Sequence, residues 1–210
     1  MTRDQLVRRG LKPLVFAVSL GPAAWCVWLG LNDGLGANPI EAVVRFFGDW
    51  GLPFILIALA VTPLREITGL SALARFRRMM GLFAFFYVSL HLLAYIGLDL
   101  FFDFRALIAD VVKRTYITVG MAAFLLLVPL AVTSTKGWTK RLGGKRWQAL
   151  HRAVYAIGIL GVFHYTMMIK ADYRQPMLHG AILALLLAWR LFSRWRKRRQ
   201  PASRPRPAAA

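Results

Sequence analysis

Apolar residues fall along the chain in six runs, at about 14–31, 52–64, 79–100, 117–132, 147–170 and 177–192, separated by charged, glycine- or proline-containing segments. Most approach the roughly 20 residues that an α-helix needs to cross the hydrocarbon core of a bilayer. The second run is short and extends back to Trp50. The pattern predicts an all-α integral membrane protein, a six-transmembrane-helix bundle. Residues 1–195 form its one membrane domain, and 196–210 a disordered basic tail rich in Arg, Pro and Ala. In the first span Pro13 is placed to open the helix and Pro22 to kink it, because proline removes an intrahelical hydrogen bond. The polar segment NDGLGANPIEAVVRFFGDW turns the chain, with a short surface helix in its middle. DLFFDFRALIADVVKRTY reads as an amphipathic connection at the membrane interface, and TSTKGWTKRLGGKRW as a basic, glycine-rich turn.

Composition strengthens the membrane reading. With 58% hydrophobic residues and a mean hydropathy of +0.51, a soluble domain is a poor explanation. The formal net charge of +19 would suit nucleic acid, but the basic residues cluster between the apolar runs rather than along one soluble face. The lipid bilayer, not nucleic acid, is therefore the expected partner. Six spans put both termini on one side, and that side holds 22 of the 28 Lys and Arg. Only Arg45, Arg105, Lys113, Arg114, Lys170 and Arg174 fall on the other. By the positive-inside rule both termini are cytoplasmic. The basic head MTRDQLVRRGLK resembles the start of a signal peptide, but the apolar run after it is longer than a signal core, so it reads as an uncleaved first helix. The single cysteine, Cys26, has no partner for an intramolecular disulfide or a CxxC motif, and its expected role is packing.

Ionisable groups at membrane depth are costly and mark sites, and histidine is a common axial ligand of haem iron. His91 lies thirteen residues past Arg78 in the third run and His164 twelve past Arg152 in the fifth. At about 1.5 Å per residue both stand roughly 18–20 Å from the cytoplasmic edge. Two imidazoles at one depth are a candidate clamp for a single haem in the outer half of the membrane. His179 falls in the outer half too and competes as a ligand. His151 lies beside Arg152 at the cytoplasmic end, with no histidine opposite it on the third span. On a straight helix the thirteen residues between His151 and His164 turn them roughly 140° apart. His151 then points elsewhere, toward a quinone, a flavin or a second haem with a weaker axial ligand. The bland alternative for each histidine is a hydrogen bond to a carbonyl or hydroxyl of a neighbouring helix. Arg75, Arg77 and Arg78 satisfy the topology rule unaided and are also candidates for an anionic cofactor phosphate.

The ordered set TPLRE, RRMMGLFAFFYVSLHLLAY, LAVTST, RLGGKRWQALHRAVY and FHY resembles the haem-binding membrane subunits of bacterial periplasmic methionine sulfoxide reductase systems. These belong to the ferric-reductase-like transmembrane group, which includes the eukaryotic NADPH oxidases. The resemblance covers about residues 10–195. It implies a bacterial inner-membrane cytochrome with one or two haems b and FMN. Such a subunit passes electrons from the quinone pool to a periplasmic, molybdopterin-containing catalytic subunit that reduces oxidised methionine in proteins. His91, His151 and His164 fall on the family's functional histidines. The larger group usually carries two histidines on each of spans three and five, whereas span three here has only His91. The chain shows no catalytic triad, Gly-rich nucleotide motif or zinc spacing, so substrate chemistry is expected on a partner. Two rival readings remain: a ferric or oxygen reductase fed by a separate cytoplasmic flavin reductase, and a transporter or scaffold without redox chemistry.

Overall fold

The computed structural model describes residue 5 and residues 7–199, and these are helical with short connections and no strand among them. The helices are α1 (Lys12–Leu31), α2 (Pro39–Thr68), α3 (Ala74–Ala94), α4 (Phe104–Lys113), α5 (Thr115–Val132), α6 (Lys136–His151), α7 (Ala153–Met168) and α8 (Arg174–Arg199). Five helical stretches are long and apolar enough to cross a membrane: Arg9–Leu31, Pro39–Thr68, Ser71–Asp99, Thr115–Val132 and Arg174–Arg199. The fifth expected span is divided instead. It breaks at Arg152 into α6 and α7, and α7, at 16 residues, is shorter than the other candidates. The chain is a multi-pass membrane protein.

Three boundaries differ from the sequence reading, each for a local reason. The segment expected to turn with a short surface helix is the start of α2, because Asn38 accepts from the Glu41 N–H at 3.3 Å and Pro39 stands at the first helical position. That helix stops at Gly69, whose φ of 70° suits a residue without a side chain. The expected basic turn is mostly helical: Thr135 caps α6 by accepting from Trp138 N–H, and only Gly143, at φ 72° and ψ 154°, interrupts it. Helix α8 runs on to Arg199, past the boundary expected at 195, while the tail residues 200–210 lie outside the described residues. The amphipathic connection is α4, capped by Asp103, whose carboxylate accepts from the N–H groups of Arg105 and Ala106.

Helix α2 packs along α3 and α5 along α7, with α8 closing against α2 and α7, and α3 touching α5. The core lies mainly between α2 and α3, where Leu59, Ala84 and Tyr87 are almost wholly buried. Tyr87 and Phe54 stack with centroids 5.0 Å apart and planes 6° from parallel. Outward-facing apolar side chains stay bare, Leu31 at 80% and Leu185 at 71% exposure. In water such surface would be a large penalty; against lipid tails it is not, which is how a membrane bundle differs from a soluble one. Helix α1 runs on through Pro22. One turn of it is bridged by Tyr87, whose hydroxyl donates to Ser19 O at 2.6 Å and accepts from Ala23 N–H at 3.2 Å.

Candidate functional site

The two histidines matched by depth meet in space. His91 projects from the last turn of α3 and His164 from α7 one turn before its end at Met168, and their ring centroids are 6.1 Å apart with planes 77° from parallel. Each is held from behind by a neighbouring helix. His91 Nδ1 lies 2.8 Å from Val44 O on α2, and His164 Nδ1 lies 2.7 Å from Tyr116 O on α5. A carbonyl can only accept, so in both rings Nδ1 carries the proton and donates, and Nε2 keeps its lone pair. This tautomer, oriented by a backbone carbonyl, is the one a metal-ligating imidazole adopts.

The spacing suits one metal held between the rings. Two metal–nitrogen bonds of about 2 Å each, plus roughly 1 Å from each nitrogen to its ring centre, put two imidazoles on one metal with centroids about 6 Å apart. Among the described residues no three His, Cys, Asp or Glu side chains gather into a metal site. Two protein ligands alone leave a metal short of coordination, and a macrocycle with four in-plane nitrogens makes up that deficit. The residues therefore fit a haem held between His91 and His164.

Both rings line a cavity of about 960 Å³ among α2, α3, α5 and α7, at the upper end of the roughly 300–1,000 Å³ usual for cofactor pockets. Its apolar wall includes Leu52, Ile55, Phe124 and Ile157, and its polar side carries Arg45, Asp49, Tyr95 and Arg114. Arg45 pairs with Glu41 at 2.6 Å, and Arg114 with Asp110 at 3.2 Å. Asp110 also accepts from the Tyr95 hydroxyl, tying the amphipathic α4 to the end of α3.

The other two histidines stand apart from this pair. His179 lines the same cavity, but it is only half-buried, its Nδ1 bonds Gln175 O in its own helix at 2.7 Å, and its ring lies edge-on to Tyr165. His151 ends α6, stacked on Trp147 with centroids 3.9 Å apart and with Nε2 3.0 Å from the Thr133 hydroxyl. That hydroxyl gives its proton to Pro129 O at 2.6 Å, so His151 donates from Nε2. Sequence reasoning missed Val44, Gly48, Tyr116 and Gly120, which back the two rings; for Gly120 a glycine inside an apolar span was the available signal, whereas Gly48 lies in the segment read as a turn.

Two packed helix pairs, each presenting one carbonyl-anchored histidine to a shared intramembrane cavity, define a transmembrane component of the ferric-reductase kind. Residues 48–162 match the family model of the ferric reductase like transmembrane component. The chain is 60% identical over 197 residues to the protein-methionine-sulfoxide reductase heme-binding subunit MsrQ of Rhodospirillum rubrum, covering 94% of this chain and 93% of that one. It is 51% identical over 186 residues to the MsrQ of Caulobacter vibrioides, covering 89% and 87% of the two chains. Against the MsrQ of Bordetella pertussis it is 53% identical over 190 residues, covering 90% and 92%. The chain belongs to the MsrQ family.

Proposed function

We propose that this chain is the membrane cytochrome b of a methionine sulfoxide reductase system, binding haem b between His91 and His164. It takes electrons from the quinone pool and delivers them to a periplasmic, molybdopterin-containing subunit that repairs oxidised proteins. The single observation that carries this reading is the pair of imidazoles at 6.1 Å, each with Nδ1 on a carbonyl and its Nε2 lone pair left for a metal. A bound haem supplies a reversible one-electron iron couple, while the protein supplies ligands and a low-dielectric site. Val44 and Tyr116 hold the rings, the apolar wall excludes water, and Arg45 and Arg114 offer positive charge to the acidic edge of a haem.

The same proposal includes six membrane spans, with α6 and α7 together as the fifth, and both termini cytoplasmic in a bacterial inner membrane. In that orientation His91 and His164 stand toward the periplasm and the partner. His151, with Arg77 and Arg78 on the same side, stands toward the cytoplasmic end, where quinol, FMN or a cytoplasmic flavin reductase delivers electrons. His151 is already engaged with Thr133, so the reading assigns one bis-histidine haem.

The test is a reduced-minus-oxidised absorbance spectrum of detergent-purified protein and three variants. The parent shows a b-type haem, His91→Ala and His164→Ala lose most of it, and His179→Ala keeps it. A haem stripped by His179→Ala but retained in His91→Ala would overturn the ligand assignment, and a colourless parent the cytochrome itself.

A further inference from the structure

The anchoring of the two rings follows one rule used twice. Val44 and Gly48 are four residues apart on α2, and Tyr116 and Gly120 are four apart on α5. In an α-helix the carbonyl of one residue accepts from the N–H four residues on, and the side chain at that later position leans back over that carbonyl. Any side chain at 48 or 120 would therefore cover the carbonyl that the histidine uses. Glycine leaves its second lone pair open.

The distances show how close the fit is. A Cβ built on Gly48 would stand 3.0 Å from His91 Nδ1 and 3.2 Å from its Cε1, and one on Gly120 would stand 2.9 Å from both Nδ1 and Cε1 of His164. Unstrained carbon contacts lie at about 3.5–4.0 Å. The neighbouring atoms belong to imidazoles whose Nδ1 bonds are already made, so a ring cannot move aside without losing its carbonyl.

Other glycines in the same bundle meet aliphatic side chains. A Cβ on Gly51 would stand 2.8 Å from Val88 Cγ2, and one on Gly158 would stand 3.1 Å from Leu183 Cδ1. These serve close helix packing, the ordinary use of small residues in membranes. At Gly48 and Gly120 the three atoms nearest the added Cβ all belong to His91 and to His164 respectively.

We propose that Gly48 and Gly120 are positioning residues: each keeps one backbone carbonyl open to an Nδ1–H, fixing the tautomer and aim of His91 and His164. The inference rests on the reading that these histidines ligate haem iron. A carbonyl-anchored imidazole is the stronger donor and favours oxidised iron. Loss of the anchor then raises the haem reduction potential and weakens haem retention by roughly 10- to 100-fold.

The experiment compares Gly48→Ala, Gly120→Ala, Gly51→Ala and Gly158→Ala, each purified in detergent with its haem. Redox titration followed optically, the low-temperature electron paramagnetic resonance of the oxidised haem, and haem loss to a scavenging apoglobin are measured. Gly48→Ala and Gly120→Ala are expected to raise the potential, alter the resonance signature and release haem faster. Gly51→Ala and Gly158→Ala are expected to match the parent in potential and resonance even where crowding lowers their thermal stability. The two positions are independent, so if one variant fails to accumulate the other still decides. The same shift in all four variants would make the effect general packing and overturn the role, as would an unchanged potential and resonance in either of the first pair. His91→Ala and His164→Ala accompany the series, because haem retained in them would sink the ligand assignment instead.

Discussion

Removing one oxygen atom, by Tyr87→Phe, isolates what ties α1 to the helix that carries His91. Tyr87 is fully buried, at 0% exposure. Its hydroxyl bridges Ser19 O and Ala23 N–H, two groups that would otherwise pair with each other one turn apart on α1. Pro22 sits inside that turn and has no N–H to give, so the turn is already weakened. Phenylalanine keeps the ring and its stacking on Phe54, leaving the two hydrogen bonds as the difference. At about 0.5–1.5 kcal/mol for each bond, the loss is about 1–3 kcal/mol. Measured interhelical bonds in membranes average about 0.6 kcal/mol, and part of the loss is recovered if Ser19 O and Ala23 N–H re-pair, so the lower end of that range is expected. For a chain of this size 1 kcal/mol moves a melting midpoint by about 2–4 °C. The assay heats detergent-purified parent and variant and follows the absorbance of the bound haem together with elution as a single species. The spectrum at low temperature should match the parent, because His91 and its Val44 anchor are untouched, while the midpoint falls by a few degrees. A midpoint within a degree of the parent would show that the α1 backbone satisfies itself without Tyr87, and the argument for this tie would fail.

A reporter active only in the periplasm should work when fused at residue 103 or 172 and stay silent at 140 or 205. The reverse pattern would invert the proposed direction of electron flow. Mixed anaerobically with purified haem-loaded protein, a reduced quinone analogue, or NADPH with a flavin reductase, should reduce the haem, whereas NADPH alone should not. The described residues are helices joined by short connections, with no βαβ unit to bind a dinucleotide, and fast reduction by NADPH alone would contradict this. Asp103→Ala removes the two-bond cap of α4 and should cost about 1 kcal/mol. It should quicken amide hydrogen exchange across 104–113 without changing the haem spectrum, and unchanged exchange would show that packing on α5 alone holds α4.

The histidine pair was legible in the sequence because depth is a local property: helical rise and two arginine markers suffice to level His91 with His164. The same geometry turned His151 away from His164, and His151 does lie elsewhere, against Thr133, while around Arg152 the helix tightens to bonds three residues apart, Arg152 N–H to Ala149 O and Tyr155 N–H to Arg152 O. The start of α2 was hidden for a different reason. Glu41, Arg45 and Asp49 recur at a spacing of four, one polar stripe on a membrane helix, and all three line the cavity. Read without a tertiary partner, such a stripe looks like a water-facing turn. The carbonyl anchors were beyond reach, because a backbone oxygen leaves no mark in sequence except the glycine that exposes it.

The two ends of the bundle are built for different tasks. At one end Glu66 of α2 accepts from Trp189 Nε1 at 3.1 Å, Ser193 Oγ at 2.7 Å and Lys197 Nζ at 2.8 Å, all on α8. Nearby Arg190 reaches the Tyr155 hydroxyl at 3.0 Å and Leu59 O at 2.9 Å, joining α8 to α7 and α2. These bonds cross between helices far apart in sequence and fasten that end. At the other end the same helices part around a cavity of about 960 Å³, and the ion pairs there are local, Arg45 with Glu41 and Arg114 with Asp110. A site that must hold a large planar cofactor needs helices kept apart at its own level and together beyond it. Fastening α2, α7 and α8 at one end supplies the second condition, and the ring-filled gap between α3 and α7 supplies the first. On the proposed orientation the open end faces the periplasm. There the residues that would hold the haem come nearest to a partner that accepts electrons outside the membrane.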